Sequence, residues 1–157
     1  MGQIVSHGGG TRLSDLGKRD MRAQFAALCW RQRDDKIEVL LITSRDSGRW
    51  VIPKGWPMQG KAPQQAAGIE ALEEAGVRGI VSERAVGVFT YLKEMADGVL
   101  PVLVAVFPLA VSKVLGDWPE KGERTRQWMT LKKAARTVSD PELARILSDP
   151  TLPKLLR

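Results

Sequence analysis

Residues 55–77 read GWPMQGKAPQQAAGIEALEEAGV, and the order of residue types in this stretch decides the fold. Pro63 suits the first turn of a helix, where a missing N–H costs nothing, and Gly76 supplies a left-handed stop. A helix is therefore expected over residues 63–75, preceded by a loop over 54–62 that is rich in Gly and Pro. Glu70, Glu73 and Glu74 stand at i, i+3 and i+4 on that helix, so at about 100° per residue they share one face. Gly68, Ala71, Leu72 and Ala75 fall on the other side and can lie on a sheet. Like charges so spaced repel by roughly 0.2–0.5 kcal/mol per pair. A helix carries that cost if its acidic face is solvated, which is the ordinary reading of such a pattern taken alone. It also carries it if a divalent cation neutralises the face, and Mg²⁺ prefers hard oxygen ligands at short range.

Working outward, residues 22–30 and 37–43 are rich in β-type residues, and the polar Arg33-Asp34-Asp35-Lys36 turn joins them as a hairpin. Residues 50–52 form a short strand stopped by Pro53. Beyond the helix, residues 86–92 and 99–107 read as strands joined by a polar turn over 93–98. Trp128 lies in a last short strand, and residues 141–148 close the chain as a helix after Asp140. Strands, a central helix, more strands and a closing helix make an α/β sandwich with a mixed sheet. The first twenty residues, with Gly8-Gly9-Gly10, read as a flexible arm, leaving residues 21–157 as one domain.

The composition fits one core: 157 residues, 43% hydrophobic and 27% charged. Residues 99–111, the longest apolar run, are broken by Pro101 and Pro108 and fall short of the ~20 residues a membrane span requires. A soluble, cytoplasmic protein is expected, although Met1-Gly2-Gln3-Ile4-Val5-Ser6 formally fits an N-myristoylation pattern. The lone Cys29 fits a reducing compartment and, among Ala26, Ala27, Leu28 and Trp30, a buried strand position. His7 is the only histidine, so a His-based zinc or catalytic site is not expected. Net charge is +6, which points to an anionic partner. No Gly-aromatic RNA-binding signature or recognition helix accompanies that charge, so a small phosphorylated molecule is expected rather than nucleic acid.

The run from Gly55 to Val77 resembles the Nudix box, G-x5-E-x7-R-E-U-x-E-E-x-G-U with U a bulky aliphatic residue: Gly55, Glu70, Glu73, Glu74, Gly76 and Val77 fall on its positions without a gap. Lys61 stands where its first Glu is expected, Ile69 where its Arg is, and Ala71 is smaller than the usual aliphatic residue. Likeness extends from about Arg22 to Leu147. Residues 39–45, 49–53, 115–120 and 124–128 resemble the diphosphoinositol polyphosphate phosphohydrolases and their bacterial relatives within this superfamily.

This resemblance implies a Nudix-type α/β/α sandwich and Mg²⁺-dependent hydrolysis of a phosphoanhydride bond, with Mn²⁺ as an alternative ion. The substrate would be nucleoside-diphosphate-linked or of the inositol pyrophosphate type. Glu70, Glu73 and Glu74 would hold the metal, with the Gly55 carbonyl as a further ligand and Glu70 as first choice for general base. Glu120 or Glu123 would add an acidic ligand from a later loop. Phosphate contacts would fall to Ser44, Arg45, Lys54, Arg124 and Arg126, since Arg binds phosphate bidentately and Lys as a point charge. Trp56 would stack on a base or flank the loop, while Trp50, Trp118 and Trp128 would serve packing. In the family the box Arg helps orient the glutamates, so Ile69 and Lys61 motivate an alternative: a catalytically weakened Nudix fold that binds a phosphorylated ligand.

Overall fold

The computed structural model describes residues 22–156. The expected arm, its acylation pattern and His7 lie outside the described residues. Eight strands form one mixed sheet: β1 (Arg22–Arg33), β2 (Lys36–Thr43), β3 (Trp50–Val51), β4 (Lys54–Gly55), β5 (Val77–Val81), β6 (Gly87–Met95), β7 (Gly98–Val114) and β8 (Arg126–Thr130). Only β1 and β7 run parallel; the other paired strands are antiparallel.

Every residue from Ala26 to Cys29 and from Val39 to Ile42 is buried, as expected of strands covered on both faces. Ala26, Leu28, Val39 and Leu41 enter one core, and Ala27, Cys29, Leu40 and Ile42 the other. The first core lies under three helices, α2 (Leu131–Thr137), α3 (Pro141–Ser148) and α4 (Leu152–Leu155). Asp140 caps α3 by accepting from the N–H groups of Glu142 and Leu143, at 2.9 and 3.1 Å. The second core lies under α1 (Pro63–Glu70) and the turn after it, through Ala67, Ala71 and Ala75. Three small residues let the helix axis approach the sheet closely, and larger ones there would overpack it by about 1–3 kcal/mol. The layers are those of the expected α/β/α sandwich.

Four details differ from the sequence reading. The helix is α-helical only to Glu70, and residues Ala71–Ala75 form a wider π-helical turn before Gly76 at φ 67°. Lys54 and Gly55 begin the expected loop yet pair with β1. β7 runs on through Pro108, which was a break in the hydropathy reading. Its carbonyl accepts from Ser82 N–H at 2.9 Å, and its missing N–H falls where the neighbouring strand changes from β6 to β5, so no ladder bond is lost. Finally, β5, α2 and α4 had no counterpart in the sequence pattern; each is short, and none has a clear hydrophobic period of its own.

One split in the sheet creates the site. β1 and β2 pair only near their hairpin, over Trp30–Arg33 and Lys36–Val39. Farther along they part, and the segment from Trp50 to Gly55 fills the gap. Val51 and Trp50 pair with Ile42 and Thr43, Pro53 accepts from Ala27 N–H at 3.0 Å, and Gly55 and Lys54 pair with Phe25 and Ala26. That segment delivers Gly55 against the acidic end of α1.

Candidate active site

Gly55 is buried, and a Cβ there would run into the Glu70 carboxylate. Only glycine lets this loop lie against that side chain. Glu70 and Glu74 hydrogen-bond to each other. Glu74 is 9% exposed; its Oε1 accepts from Lys54 N–H at 3.3 Å and its Oε2 lies 3.6 Å from Arg124 Nη2. Burial, and then the charge of Glu74, push the Glu70 carboxyl up to about 8. Burial also raises Glu74, against the pull of Arg124 and Lys54 N–H. Glu73 is half-buried and lies off the cleft lining; its carbonyl accepts from Glu120 N–H at 3.0 Å. The wider turn after Glu70 thus separates the three carboxylates that uniform helical spacing would group.

Glu70, Glu74, Glu120, Gly55 and Arg124 line a cleft of about 300 Å³. Ser44, Arg45 and Lys54, expected as phosphate contacts, line it too, as does Trp56, expected to stack on a base or flank the loop. Arg45 is exposed and pairs with Glu123 at 2.9 Å, which turns Glu123 toward the surface; Glu120 is the later-loop acid on the cleft. A second compartment of about 620 Å³ shares Ser44, Lys54 and Tyr91 with the first and reaches Trp50, Leu92 and Pro141.

Five lining residues were not candidate site residues in the sequence reading: Gln24, Asp46, Val51, Tyr91 and Lys93. Tyr91 donates to Gln24 Oε1 at 2.7 Å, and Lys54 Nζ stands 5.1 Å from the Tyr91 ring centroid. Burial pushes Tyr91 up to about 12 and lowers Lys54. Gln24 did carry a signal, as a polar residue opening a buried apolar strand. Nothing local marks Tyr91 or Lys93.

Arg126 has a different occupation from the expected phosphate contact. Its guanidinium donates to the carbonyls of Ala75, Gly76 and Leu115, at 2.9, 3.3 and 2.7 Å, and stacks 3.8 Å from the Trp118 ring centroid. It closes the end of the glutamate helix. Trp118 is a packing residue, as expected, and Trp128 lies under Arg31 at 4.0 Å. Arg126→Ala should cost about 1.5–3 kcal/mol through the lost charged bonds, seen as a lower Tm, with substrate KM unchanged.

The donor set suits a hard divalent cation: half-buried Glu70 and buried Glu74 repel each other as anions, and a third carboxylate, Glu120, lines the same cleft. Among the described residues, no three Asp, Glu, His or Cys side chains are gathered tightly enough to cage an ion by themselves. Raised carboxyls also set a pH dependence. Between about 4.5 and 8 the folded protein holds a proton on Glu70 that the unfolded chain releases, so stability falls as pH rises through this window. In chelator, the difference in Tm between wild type and Glu70→Gln should change from pH 5 to pH 8, in the sense that the wild type loses more. A saturating divalent cation should erase that loss.

The family model for the NUDIX domain matches residues 22–150. This chain belongs to the Nudix family. Nudix hydrolases generally use divalent metal cations. The plant protein Nudix hydrolase 12, mitochondrial, of Arabidopsis thaliana is 36% identical over 104 residues, 64% of this Nudix chain and 51% of that protein. Diphosphoinositol polyphosphate phosphohydrolase 3-alpha of Mus musculus is 33% identical over 120 residues, 74% of this chain and 69% of that one. The chain spans about half the length of the first plant relatives. A solved C. elegans Ap4A hydrolase shares the fold, with a TM-score of 0.61 and 21% identity over 87% of this chain and 99% of that one. No described helix is long and apolar enough to cross a membrane. The expected cytoplasmic location is not shared by the plant relatives, whose names place them in mitochondria.

Proposed function

We propose that this protein is a pyrophosphohydrolase that uses Mg²⁺, or Mn²⁺ in its place, to cleave a phosphoanhydride bond in a small, highly phosphorylated substrate. The observation that carries this reading is the pair of half-buried Glu70 and buried Glu74 against Gly55, on a cleft that also holds Lys54, Lys93 and Arg45. Acidic and cationic walls facing one cavity suit a metal-assisted attack on an anionic phosphorus, where charge must be offset on both sides. Relatives named for Ap4A and for diphosphoinositol polyphosphates support the reaction class.

Glu70, Glu74 and Glu120 would hold the ion, with the Gly55 carbonyl as a further ligand and Glu73 completing the set if its side chain turns in. When bound, the ion supplies charge neutralisation and a polarised water. Lys54 and Lys93 would orient the phosphates, and burial of Lys54 strengthens its pull on them. Glu70 is the proton acceptor of choice, since it lines the cleft where the ion would hold a water. Ile69 favours a second reading, a Nudix fold that binds a phosphorylated ligand with little turnover.

Phosphate release with Mg²⁺ against diadenosine polyphosphates, ADP-ribose, nucleoside triphosphates and an inositol pyrophosphate tests both. Turnover of one class establishes the hydrolase and its substrate. Tight binding of one compound without turnover moves the conclusion to the binding protein.

A further inference from the structure

The helix that bears Glu70, Glu73 and Glu74 carries no Lys or Arg from Pro63 to Ala75. Any cation that orders these carboxylates must come from elsewhere, and Arg124 does. Its side chain is 10% exposed, and each of its three nitrogens has a protein partner. Nε donates to Glu120 Oε1 at 2.7 Å, Nη2 stands 3.6 Å from Glu74 Oε2, and Nη1 donates to Thr43 O at 3.1 Å. The Thr43 bond anchors the guanidinium to the end of β2. Glu120 is held a second time, by its own N–H to the Glu73 carbonyl at 3.0 Å. One rigid fork thus bridges a helix carboxylate and a loop carboxylate across 46 residues of sequence.

We propose that Arg124 is a positioning residue for the carboxylate set: it holds Glu74 and Glu120 together on the wall of the cleft that both line, and it does not bind substrate phosphate. This rests on the hydrolase reading above for the purpose of the carboxylates, though not for the geometry. Lysine replaces it only in part, because a point charge keeps the attraction but cannot hold two carboxylates and a carbonyl in fixed directions. Ile69, at the box position of an arginine, leaves that service to a residue on another segment.

The test is Mn²⁺ binding by calorimetry on wild type, Arg124→Ala, Arg124→Gln and Arg124→Lys, with Tm for each and kcat and KM at saturating metal. Metal affinity should fall by about 10–100-fold in the Ala and Gln variants, the usual scale for a residue that orients a ligand, and part-way in the Lys variant. kcat should fall and KM for the diphosphate should stay within about twofold. Unchanged Mn²⁺ affinity with a raised KM would overturn the proposal and make Arg124 a phosphate ligand. If Arg124→Ala does not fold, the Gln and Lys variants carry the same comparison. A wild type that binds Mn²⁺ and turns over nothing refutes the hydrolase reading alone, since the affinity series still reads Arg124.

Discussion

Glu74→Gln should reduce turnover by about three orders of magnitude, within the range for removing a group that acts in the transition state. Glu74 is 9% exposed, hydrogen-bonded to Glu70, to Lys54 N–H and paired with Arg124. The amide keeps the shape and still offers an oxygen to Lys54 N–H, so the fold should hold. What disappears is the negative charge that a cation would meet and that Arg124 balances. Glu73→Gln should cost less than Glu74→Gln, because Glu73 lies off the cleft lining. Rates under saturating Mg²⁺, with Tm as the control for folding, measure both. Equal losses would mean that the ion draws Glu73 inward; unchanged rates in both would end the metal-helix account.

The difference between those two glutamates was not legible in the sequence. Spacing gave the helix and its stop at Gly76, because these follow from local geometry; the single acidic face it also implied is broken by the π-helical turn. The change from α to π hydrogen bonding after Glu70, where Ala71 and Ala75 are buried on the sheet, has no mark in the local pattern. Arg124 and Arg126 make the same point. Both arginines, two residues apart, were expected as phosphate ligands. In the fold one reaches carboxylates and the other reaches carbonyls: Arg124 lies just before β8 beside Glu120 and Glu74, while Arg126 opens β8 and stacks on Trp118. Gln24, Tyr91 and Lys93 meet the site only because β1 and β6 flank β7.

Gly55→Ala should fold and yet lose about a hundredfold in turnover, the scale of a misplacement near 1 Å at a reacting centre. The added methyl would meet the Glu70 carboxylate, the far end of a side chain that can rotate away. Backbone strain does not enter, since Gly55 has no positive φ. Relief therefore comes from Glu70, which must leave its bond with Glu74, and that shift is cheap for folding but costly for a site built on their convergence. Gly76→Ala offers the contrast. There φ is 67°, and the methyl would press on Trp118 and Arg126, so the loss should fall on stability first. Measuring Tm, Mn²⁺ affinity and kcat on the two variants separates the cases. If Gly55→Ala keeps full activity, Glu70 does its work from another position, and its contact with Gly55 is packing alone.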